Sequence, residues 1–208
     1  MIILLGMVLS YLIGSIPTAY IYGRLLKRID IRQHGSGNVG ATNVFRVLGK
    51  GPGFFVLCAD IFKGVLAVAV LPDILGLTRV TQRIILALCA VSGHNWTPFL
   101  NFKGGKGVAT SLGVLIGLTI RLAAIRPVLL LSVLIWMACF LLSRYVSLAS
   151  IVSATAMPII MLLTHQSFEV VVMGVIFCLF IVIRHRPNIK RLFAGQEPRV
   201  PLPFSKSK

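Results

Sequence analysis

Acidic residues are almost missing from this chain: five Asp and Glu stand against 21 Lys and Arg in 208 residues, a net charge of +16 at pH 7. So few acids argue against a carboxylate as general base. The four histidines (His34, His94, His165 and His185) are scattered, and no H-E-x-x-H spacing occurs, so neither a metal site nor a cofactor is expected. Charge of either sign is scarce, at 12% of residues, whereas 57% are hydrophobic and the mean hydropathy is +0.93. Soluble domains carry about a quarter charged residues, which places this chain in lipid. An excess of base raises the question of nucleic acid. Membrane orientation and anionic head groups or substrates account for most of it, and no nucleic-acid partner is expected. There is no CxxC, and Cys58, Cys89, Cys139 and Cys178 each fall in a hydrophobic run, where they read as small packing residues. Met1 to Tyr22 lacks a basic n-region and an A-x-A-like cleavage site, and reads as a retained helix rather than a signal peptide.

What is abundant is long apolar sequence. A spanning helix needs about 20 mostly apolar residues. Seven runs approach this: Ile2–Tyr22, Gly53–Leu71, Ile84–Leu100, Val108–Ile120, Val128–Leu142, Val146–Leu163 and Phe168–Ile183. An all-α integral membrane protein with seven transmembrane helices is predicted. Residues 1–208 form a single polytopic domain with a basic tail from about residue 184 to 208. Placing the segment after the first helix inside collects sixteen of the Lys and Arg residues on the inner side. Only Arg79, Arg83, Arg121 and Arg126 then lie outside, with Lys63 intramembrane. This asymmetry predicts the N-terminus out and the C-terminus in. Gly6/Ser10/Gly14 and Gly113/Gly117 are spaced for close helix packing. Asp60 and Lys63, three apart on one helical face, read as an inward-facing ion pair.

Chemistry gathers in the inner segments. His34-Gly35-Ser36-Gly37-Asn38-Val39-Gly40-Ala41-Thr42-Asn43, followed by Arg46, formally contains G-x-G-x-x-G. No β-rich run precedes it, so the dinucleotide reading fails. The glycines still allow backbone N–H groups to converge on an anion, with neutral donors from Ser36, Asn38, Thr42 and Asn43 and charge from Arg46. A second segment, Gly93-His94 through Phe102-Lys103-Gly104-Gly105-Lys106-Gly107-Val108-Ala109-Thr110, is no Walker loop. By itself it leaves two readings. It is either a phosphate site at a helix N-terminus or a pair of positive-inside lysines with turning glycines. Pro187 predicts a turn or a short new helix after Arg184, which would put Arg184, Asn188 and Arg191 on one face. Arg199, Lys206 and Lys208 read as lipid head-group anchors. No G-x-S-x-G elbow is present. The H-x-x-x-x-D pair of many glycerolipid acyltransferases is also missing, because Val39, Phe99, Val170 and Lys190 stand where the acid would be.

Four segments in this order, Gly35–Asn43 (GSGNVGATN), Gly93–His94 with Phe102–Thr110 (FKGGKGVAT), Arg144–Ser150 (RYVSLAS) and Arg184–Arg191 (RHRPNIKR), resemble the bacterial acyl-phosphate:glycerol-3-phosphate acyltransferase family. The likeness covers nearly the whole chain. It implies transfer of a fatty acyl group from acyl phosphate to the 1-hydroxyl of glycerol 3-phosphate. The products would be lysophosphatidic acid and phosphate, in the bacterial cytoplasmic (inner) membrane, with the active site facing the cytoplasm. It further implies that Ser36, Gly37, Asn38 and Thr42 bind acyl phosphate. Arg46, Lys106, Ser147, His185 and Asn188 would bind glycerol 3-phosphate, supported by Asn43, His94, Lys103, Gly104 and Gly105. The donor's own phosphate would take the proton, and no side chain is assigned as general base. Implied partners are the two substrates, membrane lipid, and contact with the enzyme that makes acyl phosphate. Two other classes compete. A small anion or phosphate transporter should show inverted repeats and helices interrupted at mid-membrane, and no repeat is seen. A lipid-anchored scaffold leaves the two glycine-rich loops unexplained.

Overall fold

The structure, a computed structural model, describes residues 1–200; Lys206 and Lys208 lie outside the described residues. All regular structure among the described residues is helical. The chain divides into two compact units, Met1–Arg126 and Pro127–Lys208.

In the first unit, α1 (Ile2–Ser15) and α2 (Thr18–Lys27) precede a single turn at Ile31–Gln33. Then come α3 (Ala41–Leu48) and α4 (Lys50–Val65), which continues through a π-helical stretch, Leu66–Val70, into α5 (Leu71–Ile74). Finally α6 (Val80–Asn95) leads through a turn at Pro98–Leu100 to α7 (Val108–Arg121). Packing here depends on missing side chains. A Cβ on Gly14 would overlap the carbonyl of Ala90, and one on Gly113 would overlap that of Ile61, so α1 lies directly on α6 and α4 on α7. Ser10 adds a hydroxyl donated to the Leu86 carbonyl at 2.5 Å. The small-residue stripes read from the sequence are thus helix seams.

The second unit holds α8 (Arg126–Ser143), α9 (Val146–Leu163), α10 (Phe168–Arg184) and α11 (Arg186–Phe193). Trp136 Nε1 donates to Ser150 Oγ at 3.2 Å, and Ser153 Oγ to the Ser132 carbonyl at 2.8 Å, tying α8 to α9. Gly174 of α10 packs against Met161 of α9. The short helix allowed for after Arg184 forms as α11, with Pro187 in its first turn, where a missing N–H costs nothing.

Burial is arranged for lipid. Large apolar side chains such as Leu4, Phe54, Phe62, Leu141 and Leu163 are exposed, while Asn43, Asp60, Lys63, Arg83, His94 and Asn95 are buried. Four helical stretches are long and apolar enough to cross a membrane: Ile2–Lys27, Lys50–Ile74, Ala123–Ser143 and Val146–Leu163. α10 and α11, bent by 60°, make a fifth if taken together. Two expected runs differ from the helices found. Ile2–Tyr22 is broken at Ile16–Pro17, because Pro17 lacks the N–H a helix needs. Ile84–Leu100 ends as helix at Asn95. At 16 and 14 residues, α6 and α7 are shorter than the span of a hydrocarbon core.

Candidate active site

The first glycine-rich loop of unit Met1–Arg126 is pegged at both ends by apolar residues. Ile31 and Val39 enter a core with Ala19, Val44, Val56 and Leu100. Asp30 caps the turn before it, accepting the Arg32 backbone N–H at 3.0 Å and the Arg32 guanidinium at 2.7 Å, with Arg24 at 3.8 Å. The Arg32 side-chain hydrogen bond, helped by the Arg32 backbone N–H and the charges of both arginines, holds the Asp30 carboxyl down at about 2 against a residual penalty for burial. Gly35 and Gly37 lie at φ 61° and 70°, left-handed conformations in which a side chain is strained. Asn43 is fully buried on α3 and closes the loop: its Nδ2 donates to the carbonyls of Ile31 (3.2 Å) and His34 (3.0 Å), and its Oδ1 accepts the Ser36 N–H at 2.8 Å. Its amide is thus turned inward, onto the loop's own backbone. Ser36 is exposed and Asn38 half-buried. Thr42 and Arg46, four apart, share the exposed face of α3. No side chain caps the N-terminus of α3, which leaves its first N–H groups for an anion.

The second loop folds back on the end of α6. Gly104 N donates to the Asn95 carbonyl at 3.1 Å and Gly105 N to the His94 carbonyl at 2.9 Å. A Cβ on Gly104 would overlap the His94 carbonyl, and one on Gly105 would overlap the His94 ring and come within 2.8 Å of the Val39 carbonyl. Gly105 is therefore where the two glycine-rich segments touch. Gly107, at φ 79°, turns the chain into α7, whose N-terminus also has no side-chain cap. Lys103 is exposed and Lys106 half-buried. Beneath this junction is a cavity of about 10 Å³, lined among others by Ser15, Thr18, Asp60, Lys63, His94 and Gly105.

In unit Pro127–Lys208, Ser147 is buried in the first turn of α9. His185 closes α10, and its Nδ1 lies 2.8 Å from the Ile181 carbonyl. A carbonyl only accepts, so Nδ1 carries a proton, and in the neutral ring Nε2 is an acceptor. Asn188 and Arg191 of α11 grip the two carboxylate oxygens of Glu197 at 2.6 and 2.7 Å. Burial alone would raise the Glu197 carboxyl; the hydrogen bonds from Asn188 and Arg191, with the Arg191 charge, outweigh it and hold the group below its ordinary range. Arg199, read as a head-group anchor, is exposed and leans on Tyr145. Its Nε donates to the Tyr145 hydroxyl at 2.9 Å while its cation lies over the Tyr145 ring.

The structure brings Ser36, Gly37, Asn38, Thr42, Asn43, Arg46, His94, Lys103, Gly104, Gly105 and Lys106 into one unit, and Ser147, His185 and Asn188 into the other. The sequence reading missed Glu197, a lone acid in a basic tail with no spacing rule to flag it. It recognised Asp60 and Lys63 as a pair but not their place under the second loop.

Residues 4–195 match the family model described as glycerol-3-phosphate acyltransferase. Glycerol-3-phosphate acyltransferase 2 of Moorella thermoacetica is 47% identical, over 95% of this chain and 97% of its own. The glycerol-3-phosphate acyltransferase of Staphylococcus haemolyticus is 42% identical, over 96% and 98%. Among solved structures, PlsY (YgiH), an integral membrane glycerol 3-phosphate acyltransferase, superposes in its glycerol 3-phosphate form with a TM-score of 0.86 at 38% identity, covering 96% of both chains. Its lysphosphatidic acid form gives 0.83 at 37%, covering 96% and 95%.

Proposed function

The chain belongs to the glycerol-3-phosphate acyltransferase family, and we propose that it joins an acyl phosphate to glycerol 3-phosphate at the membrane surface. The 1-hydroxyl oxygen attacks the acyl carbonyl carbon, the bond from that carbon to the phosphate oxygen breaks, and the departing phosphate carries away the hydroxyl proton. Lysophosphatidic acid and inorganic phosphate result. The donor is already activated, so the protein has to supply mainly proximity and charge. The observation that carries this reading is the meeting of two uncapped, glycine-rich helix N-termini at Gly105 and Val39. Two phosphate-bearing substrates need two such cradles side by side.

In this reading Ser36, Gly37, Asn38 and Thr42 hold the donor phosphate. Arg46, Lys106, Ser147, His185 and Asn188 hold the phosphate of glycerol 3-phosphate. Asn43, His94, Lys103, Gly104 and Gly105 support them, and both units serve one acyltransferase domain. His185 donates to phosphate through Nε2 only as the imidazolium, since Nδ1 is committed to Ile181. The same placement of basic residues supports seven membrane helices with Met1 outside and the tail inside, in the bacterial cytoplasmic membrane with the site facing the cytoplasm. The enzyme that makes acyl phosphate is then a natural neighbour.

Purified protein given acyl phosphate and glycerol 3-phosphate should form lysophosphatidic acid and release one phosphate for each. Lys106→Ala and Arg46→Ala should each raise KM for glycerol 3-phosphate about tenfold, since a charge-assisted hydrogen bond contributes roughly 1.5–3 kcal/mol. His185→Asn should keep much of kcat. A fall of about a hundredfold or more at saturating substrate would make His185 the base and overturn the donor-phosphate route.

A further inference from the structure

Beside His94 lies a cluster whose other members have no part in this chemistry as it stands. It lies inside unit Met1–Arg126, below the junction of the two loops. A single carboxylate oxygen, Asp60 Oδ1, accepts the Thr18 hydroxyl at 2.7 Å and the Lys63 ammonium at 2.8 Å, and faces His94 Nδ1 at 3.8 Å. Lys63 Nζ also donates to the Ile16 carbonyl at 3.2 Å, at the Pro17 break between α1 and α2. The Asp60 and Lys63 side chains are only 2% and 6% exposed.

We propose that Asp60, Lys63 and Thr18 act through His94 as positioning residues for acyl transfer, fixing the Gly104–Lys106 loop against the Ser36–Asn38 loop. This rests on the acyl-transfer reading above. The line of contact is short. The Nδ1 edge of the His94 ring faces Asp60, and its Nε2 edge occupies the space that a Gly105 side chain would need. Gly105 is bonded to the His94 carbonyl, packs on the Val39 carbonyl that ends the first loop, and is followed directly by Lys106. A rotation of the ring therefore moves the lysine relative to the donor loop.

Stability gives no sufficient reason for these charges to be there. Taking two ions out of water costs several kcal/mol each, and a well-packed apolar pair of similar volume often matches or exceeds a buried ion pair. The seams of this unit are already made by Gly14 on Ala90 and Gly113 on Ile61, with no charge involved. What an ion pair adds is direction: Thr18 and Lys63 fix one carboxylate oxygen, and the His94 ring faces that oxygen with its Nδ1 at 3.8 Å, whereas an apolar pair would present no such polar edge to the ring. The cavity of about 10 Å³ at this point is about one water in size, too small for a substrate. The cluster sets geometry without touching the reactants. Misplacing a reactant by about 1 Å can cost a hundredfold in rate, so a device of this kind is worth its desolvation.

The test is a kinetic cycle on the full-length protein in detergent, with lysophosphatidic acid as readout. His94→Gln should raise KM for glycerol 3-phosphate about tenfold with kcat within about threefold, in protein whose thermal midpoint shifts little. Asp60→Asn, which leaves Lys63 buried without its counter-charge, should raise the same KM and also lower the midpoint. In a Lys106→Ala background His94→Gln should add less than about twofold, because both changes act through the same ammonium. Thr18→Val, which removes only one hydroxyl donated to Asp60, should raise the same KM by a few-fold and carries the test if His94→Gln does not fold. Effects of His94→Gln and Lys106→Ala that simply multiply, or a lowered midpoint with unchanged KM, would overturn the positioning role. Wild-type protein that makes no lysophosphatidic acid would instead overturn the acyl-transfer reading. Wild-type activity with a Lys106 effect but none from Thr18, Asp60 or His94 would remove the network alone.

Discussion

Two carboxylates of unit Met1–Arg126 are each held between basic groups, Asp60 by Lys63 and His94, and Asp73 by Arg83 and Arg121. They share a helix: Arg83 belongs to the first turn of α6 and His94 to its last, about 16 Å apart at 1.5 Å per residue. Their surroundings differ. Asp73 is 36% exposed, and its partner Arg83 also donates to the Val68 carbonyl at 2.7 Å, inside the π-helical stretch where the regular ladder is interrupted. That cluster joins the ends of three helices and satisfies a backbone group. Asp60 is sealed from solvent and looks through His94 onto two glycine-rich loops. Much the same electrostatic device is a fastener at one end of α6 and, in our reading, an alignment element at the other. The distinction comes from what lies next to the charges, not from the charges themselves.

The largest effect is expected at Lys63. Lys63→Met leaves Asp60 buried without its cation, and stability should fall by about 3–5 kcal/mol, the usual result of removing one partner of a buried pair. Asp60→Leu combined with Lys63→Met removes the uncompensated charge and should recover most of that loss in a denaturation series. KM for glycerol 3-phosphate should nevertheless stay raised. If the double variant regained both stability and KM, Asp60 would be a fastener like Asp73.

The Asp73 cluster supplies the control. Arg83→Met removes a buried hydrogen bond to Val68 and one of two cations from Asp73, while Arg121 remains. A loss of about 2 kcal/mol in stability is expected, with both Michaelis constants unchanged in the folded protein. A raised KM here would mean that stability loss alone disturbs the loops, and the contrast between the two ends of α6 would collapse.

Legibility from the sequence followed the range of the interactions. The turns of GSGNVGATN and FKGGKGVAT were legible because they are made by consecutive backbone groups: Gly35, Gly37 and Gly107 take left-handed positions, and Gly104 and Gly105 take close-packed ones. Gly6/Ser10/Gly14 was legible as a seam because a helix repeats its face every few residues. The break at Ile16–Pro17 was hidden by hydropathy that runs on through it. At the break the Ile16 carbonyl accepts the Thr18 N–H at 3.0 Å and also Lys63, 47 residues away, at 3.2 Å. The same holds for His94, whose contacts with Asp60 and Gly105 are tertiary and leave no periodicity in the sequence. Glu197 shows the limit: composition predicted an inner face nearly without acids, yet the one acid in the tail holds both Asn188 and Arg191.

A third carboxylate should show the smallest effect. Asp30 sits outside the membrane spans between Arg24 and Arg32, under the first loop rather than the second. Its pairs are within reach of water, where such bridges contribute about 0–1 kcal/mol, so Asp30→Asn should lower stability only slightly. The sign of its pH dependence is fixed by the depressed carboxyl, at about 2 in the folded protein against an ordinary 3.8. Above the ordinary value the group is charged in both folded and unfolded chains, and its stabilisation is fully present. As pH falls from about 4 toward 2 the unfolded chain takes up the proton first, and the advantage drains away. The gap in thermal midpoint between wild type and Asp30→Asn should therefore be flat from about pH 8 to pH 5 and close toward pH 2. Because a side chain at Gly37 would press on the Arg32 carbonyl at 3.0 Å, the loop feels this turn. KM for acyl phosphate should rise by no more than about threefold, less than 1 kcal/mol, with KM for glycerol 3-phosphate unmoved. A larger effect on the glycerol 3-phosphate constant than on the donor constant would show that the two loops are not separately held, and that Asp60 cannot be credited with the second loop alone.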